Sequence, residues 1–182
     1  GGTAEHARAH FQKYRHIQFA DFLDDKTIAT VHRQLKRVSW RKTGRPDTHT
    51  YSIASTKSVP ALSFLSTPSF RQYLGAITGK RVRTATIVLC SFGHRDYTLL
   101  HDELHQKQGI YFELDLTSNW NERAGGYTSV LGASEEIFRS PPKRNALTLW
   151  QQKSGDLHFI KYVNHHAGRN KRILISGFAK ID

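Results

Sequence analysis

The 182-residue sequence has a single cysteine, Cys90. That excludes an intrachain disulfide and a cysteine-rich zinc site. Cys90 lies in an apolar run, residues 87–92, so it is expected as a buried strand residue rather than a nucleophile. No stretch of eighteen apolar residues exists, so no membrane-spanning helix is expected. Residues 1–15 are polar and lack an apolar signal-peptide core, which points to a cytoplasmic protein. Repeats and low-complexity segments are missing too. There is no βαβ alternation and no glycine-rich phosphate loop, which argues against a nucleotide-binding α/β fold.

Acidic residues are scarce: 15 Asp and Glu against 27 Lys and Arg, a net charge of +12. Such an excess suits an anionic partner, whether nucleic acid, a ribonucleoprotein or an acidic peptide, and is also compatible with a merely solvated face. The cations cluster. Arg33, Lys36, Arg37, Arg41, Lys42 and Arg45 fall in a stretch without acids; Lys143 and Arg144 form a second group, and Arg169, Lys171 and Arg172 a third. Trp40, inside the first group, equally suits a nucleic-acid contact or packing on a sheet.

What is present is an ordinary globular balance, 38% apolar and 23% charged. The length fits one domain with a proper core, residues 1–182, divided into a helical support over 1–80 and a strand-rich core over 81–182. A first helix is expected from the cap at Asp24-Asp25, with Ile28, Val31, Leu35 and Val38 as its apolar stripe. A second opens at Ser66-Thr67-Pro68, carries Phe70, Leu74 and Ile77, and stops at Gly79. Residues 43–60 read as loop with one short strand. Strands follow over 81–92, 109–116, 126–131, 146–151, 156–163 and 172–181. Ile110, Phe112, Leu114 and Leu116 alternate with Tyr111, Glu113 and Asp115. This spacing predicts a sandwich or barrel with helices over one sheet face.

The chemistry-bearing segment is residues 96–103, between two strands. His101 and Glu103 are two apart, so an extended backbone points both to one side and Asp102 away. A further histidine would complete a 2-His-1-carboxylate facial triad, which leaves iron positions open for a co-substrate and oxygen. His158, on a later strand, can supply it; His105 is a rival ligand. Arg172 opens the last strand, and its planar fork suits a carboxylate. Metal ligands plus a carboxylate clamp are what a chelating keto acid requires. His165 and His166 are expected in a loop or substrate rim, His94 in a polar turn, and Trp120 and Trp150 in the core.

The order of these pieces resembles the Fe(II)- and 2-oxoglutarate-dependent dioxygenase superfamily, in its prolyl-hydroxylase-like branch. Asp96-Tyr97 precedes His101, Leu116 and Trp120 keep the strand-end spacing, and Gly125-Gly126 follows. Pro142 and Asn145 precede a strand, Gly155 precedes His158, and Arg172 precedes Gly177. The resemblance covers roughly residues 82–182. It implies a mainly β fold with N-terminal helices: a double-stranded β-helix, or jelly roll, with helices packed on one sheet. It implies Fe(II) on His101, Glu103 and His158, 2-oxoglutarate on Arg172, O₂ as oxidant, and hydroxylation of a protein side chain. A prolyl residue, possibly of a ribosomal or translation protein, is the first expectation. The alternatives are a nucleic-acid or small-molecule oxygenase and a non-catalytic jelly-roll binding module. The sequence departs from the pattern in places. Glu103 stands for the usual aspartate, Arg95 for a glycine and Phe92 for a tyrosine. Asp115 replaces a tyrosine that often contacts the co-substrate. An acid there repels a keto diacid unless a cation offsets it, so the hydroxyl is expected from Tyr97 or Tyr111.

Overall fold

The computed structural model describes residues 2–45, 48–99 and 108–182. In chain order the elements are α1 (Gly2–Tyr14), β1 (His16–Phe19), α2 (Asp25–Leu35), β2 (Arg41–Arg45), β3 (His49–Ala54), α3 (Pro68–Thr78), β4 (Val82–Phe92), β5 (Tyr97–Thr98), β6 (Gly109–Asp115), β7 (Thr128–Leu131), β8 (Glu136–Ser140), β9 (Ala146–Gln152), β10 (Leu157–Ile160) and β11 (Arg172–Ile181). Short 3-10 turns link several of them.

Two helices begin and end for the reasons visible in the sequence. The Asp24 carboxylate accepts the Thr27 N–H at 2.8 Å, and Ile28, Val31 and Leu35 are buried. Thr67 caps α3 by accepting the Phe70 N–H, Pro68 occupies its first turn, and Gly79 ends it in the left-handed region at φ 70°. Helix α1 has no counterpart in the sequence reading, because among its described side chains only Ala7 and Phe11 are buried and the surface is otherwise polar. It packs on α3.

The main sheet runs β1-β9-β6-β11-β4-β3-β2, with β5 paired to β3; a smaller sheet runs β10-β7-β8. All the strand pairs are antiparallel. This is the expected jelly roll with helices on one sheet. The sheet is not confined to residues after 80, however: β1, β2 and β3 come from the first third. Strand β2 shows only a charged cluster in the sequence because it has no apolar alternation, and an edge strand tolerates that. Strand β8 lacks the alternation too.

One face of the main sheet packs against the helices through Phe112, Leu114, Leu147, Leu149 and Ile175 from the strands and Phe11, Val31, Phe70 and Leu74 from the helices. Trp40 packs on this core, which favours the packing role over a nucleic-acid contact. The opposite face looks into the roll, where Tyr111, Val130 and Trp150 meet between the two sheets. Among the described residues, no helix is long and apolar enough to cross a membrane.

Candidate active site

The inner face of the roll carries the site. On β10, opposite Val130 of β7, His158 points inward and is 9% exposed. Its ring lies 4.7 Å from the Tyr111 ring and 5.4 Å from Trp150, centroid to centroid. Its Nδ1 sits 2.8 Å from Gln152 Oε1. Gln152 Nε2 donates to the Asp156 carbonyl at 3.1 Å, which fixes the amide orientation. An amide oxygen only accepts, so Nδ1 carries a proton, and Nε2 is the nitrogen that would take a metal.

Arg172 opens β11 opposite Phe92 and is completely buried. Its Nε donates to Asp115 at 3.0 Å and one Nη to Glu113 at 3.0 Å. The other Nη reaches the Gly126 carbonyl and Thr128 Oγ1, both at 2.8 Å. Thr128 in turn donates to Glu113 at 2.8 Å, and Asp115 accepts the Thr117 N–H at 2.9 Å. Burial alone would lower the guanidinium pKa; Glu113 and Asp115 outweigh it and hold it above the ordinary value.

Cys90, as expected, is buried in this interior. Burial, reinforced by Glu113, pushes its thiol up to about 12, so it is no nucleophile. His158 and Glu113 both line a cavity of about 70 Å³, together with Cys90, Phe92, Leu174 and Ser176.

The expected site residues therefore divide. His158 and Tyr111 meet inside the roll, and Arg172 is buried on Glu113, which lines the same cavity as His158. Tyr97 does not: Thr98 faces the cavity, and strand alternation turns Tyr97 to the other side, 6.1 Å from the Tyr162 ring. His101, Glu103, Asp102 and His105 lie outside the described residues. Among the described residues no three metal-binding side chains converge. His165 and His166 are exposed in a 3-10 turn, and His94 is exposed in a turn.

On the iron side, His158 offers Nε2. On the keto-acid side, four of the five Arg172 N–H donors are already taken by the protein. Two carboxylates, Glu113 and Asp115, already face this one guanidinium. The cation that offsets Asp115 is the very residue expected to clamp the co-substrate.

Sequence reasoning missed Glu113, Thr128 and Gln152. The signal for Glu113 was its inward position on β6. Two motif positions gain a structural reason. Asn145, at φ 58°, accepts the Leu23 N–H at 2.9 Å and donates to the Leu23 carbonyl at 2.7 Å. Asp96 accepts the Gly93 N–H at 2.9 Å and pairs with Lys42, which holds the turn leading into β5.

The architecture and the inward histidine define a double-stranded β-helix of the 2-oxoglutarate-oxygenase type. The chain belongs to the family described as "oxoglutarate and iron-dependent oxygenase degradation C-term", whose profile matches residues 42–181. That membership bears out the oxygenase reading; Fe(II), 2-oxoglutarate and O₂ are the reactants of the family's chemistry. Solved structures agree on the fold. A prolyl hydroxylase from Trichoplax adhaerens, in complex with a hypoxia-inducible-factor peptide fragment, matches at TM-score 0.75 and 12% identity, covering 97% of this chain and 88% of that one. A Pseudomonas putida prolyl-4-hydroxylase matches at TM-score 0.73 and 12% identity, covering 98% of both chains. A 2-oxoglutarate-Fe(II) oxygenase-family oxidoreductase from Burkholderia pseudomallei matches at 0.72 and 12%, covering 98% and 91%.

Proposed function

We propose that this chain hydroxylates a protein side chain, a prolyl residue first, with iron held by His101, Glu103 and His158. Family membership supports the reaction class, and the prolyl hydroxylases of the same fold support the substrate class. The observation that carries the site is His158, buried against Tyr111 with Gln152 accepting from its Nδ1. Iron with its co-substrates would supply the oxidising power for inserting oxygen into a C–H bond. The protein's own part is local: Gln152 orients His158, and Tyr111 and Trp150 wall that ring from water. Ribosomal or other ribonucleoprotein substrates fit the +12 charge, and a cytoplasmic setting suits them.

A second reading has its own observation. With Arg172 closed on Glu113 and Asp115, the roll resembles a binding module that keeps the fold without turning over 2-oxoglutarate. One experiment separates the two. The chain is incubated with Fe(II), 2-oxoglutarate and prolyl peptides or RNA, while succinate and a one-oxygen mass gain are followed. Peptide-coupled succinate that disappears in His158→Ala, with His165→Ala unaffected, supports the oxygenase. Iron binding without any succinate supports the module, and oxygen appearing on RNA moves the substrate class.

A further inference from the structure

Strand β4 is paired with β11 along its whole length, but on its other side β3 meets only residues 89–91. Among the described residues, no strand lies beside 82–88. In such a strand, alternate residues turn their N–H and C=O groups outward. The free segment reads Val-Arg-Thr-Ala-Thr-Ile-Val, with strong β-propensity, no proline and a single charge. Val88 on it is 43% exposed. The ends of this sheet are protected differently. Strand β2 is basic and contains Gly44, and β1 is four residues long. Exposed edges are ordinarily blunted in these ways, because an open one recruits another strand.

Next to the start of this edge lies a groove of about 610 Å³ between α3 and β4, with Arg71, Lys80, Arg81 and Arg83 on its walls. Asp182 pairs with Arg81 and Arg83, whose side chains remain 84% and 62% exposed. We propose that the open edge of β4 takes up an extended acidic peptide as an added strand. Its backbone pairs with residues 82–88, and its carboxylates enter the basic groove.

The same observations weigh against other occupants. A second copy would bring another +12 charge and a second basic groove to the junction. RNA would find cations, but the groove walls carry no aromatic side chain on which a base could stack. Neither uses the outward-facing amides of β4.

The test uses the full chain and a ten-residue peptide of alternating valine and glutamate. Two further forms are N-methylated on alternate residues, one in each register. Binding is followed by fluorescence anisotropy and by amide hydrogen exchange, with a uridine decanucleotide as the competing class. The expected result is slowed exchange within residues 82–88. One methylated form should lose at least tenfold in affinity while the other keeps it. Lys80→Glu with Arg81→Glu, at exposed groove positions, should also lose tenfold at an unchanged melting temperature. Equal binding of both methylated forms would show charge attraction without strand addition and overturn the proposal. So would no binding of the parent peptide, protection elsewhere in the chain, or tighter binding of the oligonucleotide at the same amides.

Discussion

Toward the helices, β6 presents Ile110, Phe112 and Leu114; toward the inside of the roll, the same strand presents Tyr111, Glu113 and Asp115. All seven residues of β6 are buried, so the two faces differ in chemistry rather than in exposure. The helix side is held by apolar area, which is non-directional and forgives small shifts. The inner side is held by a cation between two carboxylates, where partners must be matched one to one. Packing specifies the first face. The second depends on complete pairing.

Removing one partner on the inner face is the most direct way to break this balance. Arg172→Ala should lower folding stability by about 3–5 kcal/mol, because Glu113 and Asp115 are left buried without their cation. Urea unfolding followed by far-UV circular dichroism measures it. The combined change Arg172→Met, Glu113→Leu and Asp115→Leu should recover most of the loss, since well-packed apolar groups commonly replace a buried ion group without cost. If the triple variant is as unstable as Arg172→Ala, the triad stabilises the roll beyond its internal pairing. Iron binding to Arg172→Ala, measured where it remains folded, should stay near wild type.

On the helix side the sensitive point is a close approach. A Cβ at Gly177 would lie 2.1 Å from the Phe112 ring, which explains the glycine in the Arg172-to-Gly177 motif. Gly177→Ala should cost up to about 3 kcal/mol through overpacking. Adding Phe112→Leu should return part of it, and the double-mutant cycle in urea measures the coupling. No coupling would mean the strand, not the ring, absorbs the methyl group.

Asn145 joins the two faces by tying the start of β9 to Leu23 ahead of α2. Asn145→Gly keeps the positive φ and removes both hydrogen bonds, so it should cost about 2 kcal/mol. Asn145→Ala should cost more, because it also strains the backbone. Equal losses in the two variants would show that φ contributes nothing.

The helix side was largely legible in the sequence, because its information is local. Asp24, Thr67-Pro68 and Gly79 mark helix ends, and the β6 alternation marks a strand face. The inner face was legible only in outline. His158 and Arg172 could be placed inward by strand position, but the partner of Arg172 could not be read from its neighbours. Glu113 and Asp115 lie on another strand far back in the chain, and only the sheet order makes them adjacent to it. The facing of Tyr97 is not legible for a smaller reason: β5 is two residues long, too short for its alternation to show which side faces in.

The smallest expected effect lies at Cys90, where the inner face meets β4. Burial first, then Glu113, raises this thiol from an ordinary 9.0 to about 12. Between those values the unfolded chain ionises and the folded one does not, so the unfolded state binds fewer protons and stability falls as pH rises. The contribution is fully present below pH 9 and reaches roughly 1 kcal/mol of loss by pH 10. Tyr73, whose hydroxyl is also raised by burial, pulls in the same direction, so wild type alone does not isolate the thiol. The difference between wild type and Cys90→Ala does. The wild type should lose about 1 kcal/mol more than the variant between pH 8 and pH 10 in urea titrations. Alkylation of folded wild type by iodoacetamide should stay negligible at pH 8 and become complete once urea unfolds it. Rapid alkylation of the folded chain would mean the interior opens to solvent near Glu113, and the closed triad would not be its resting arrangement.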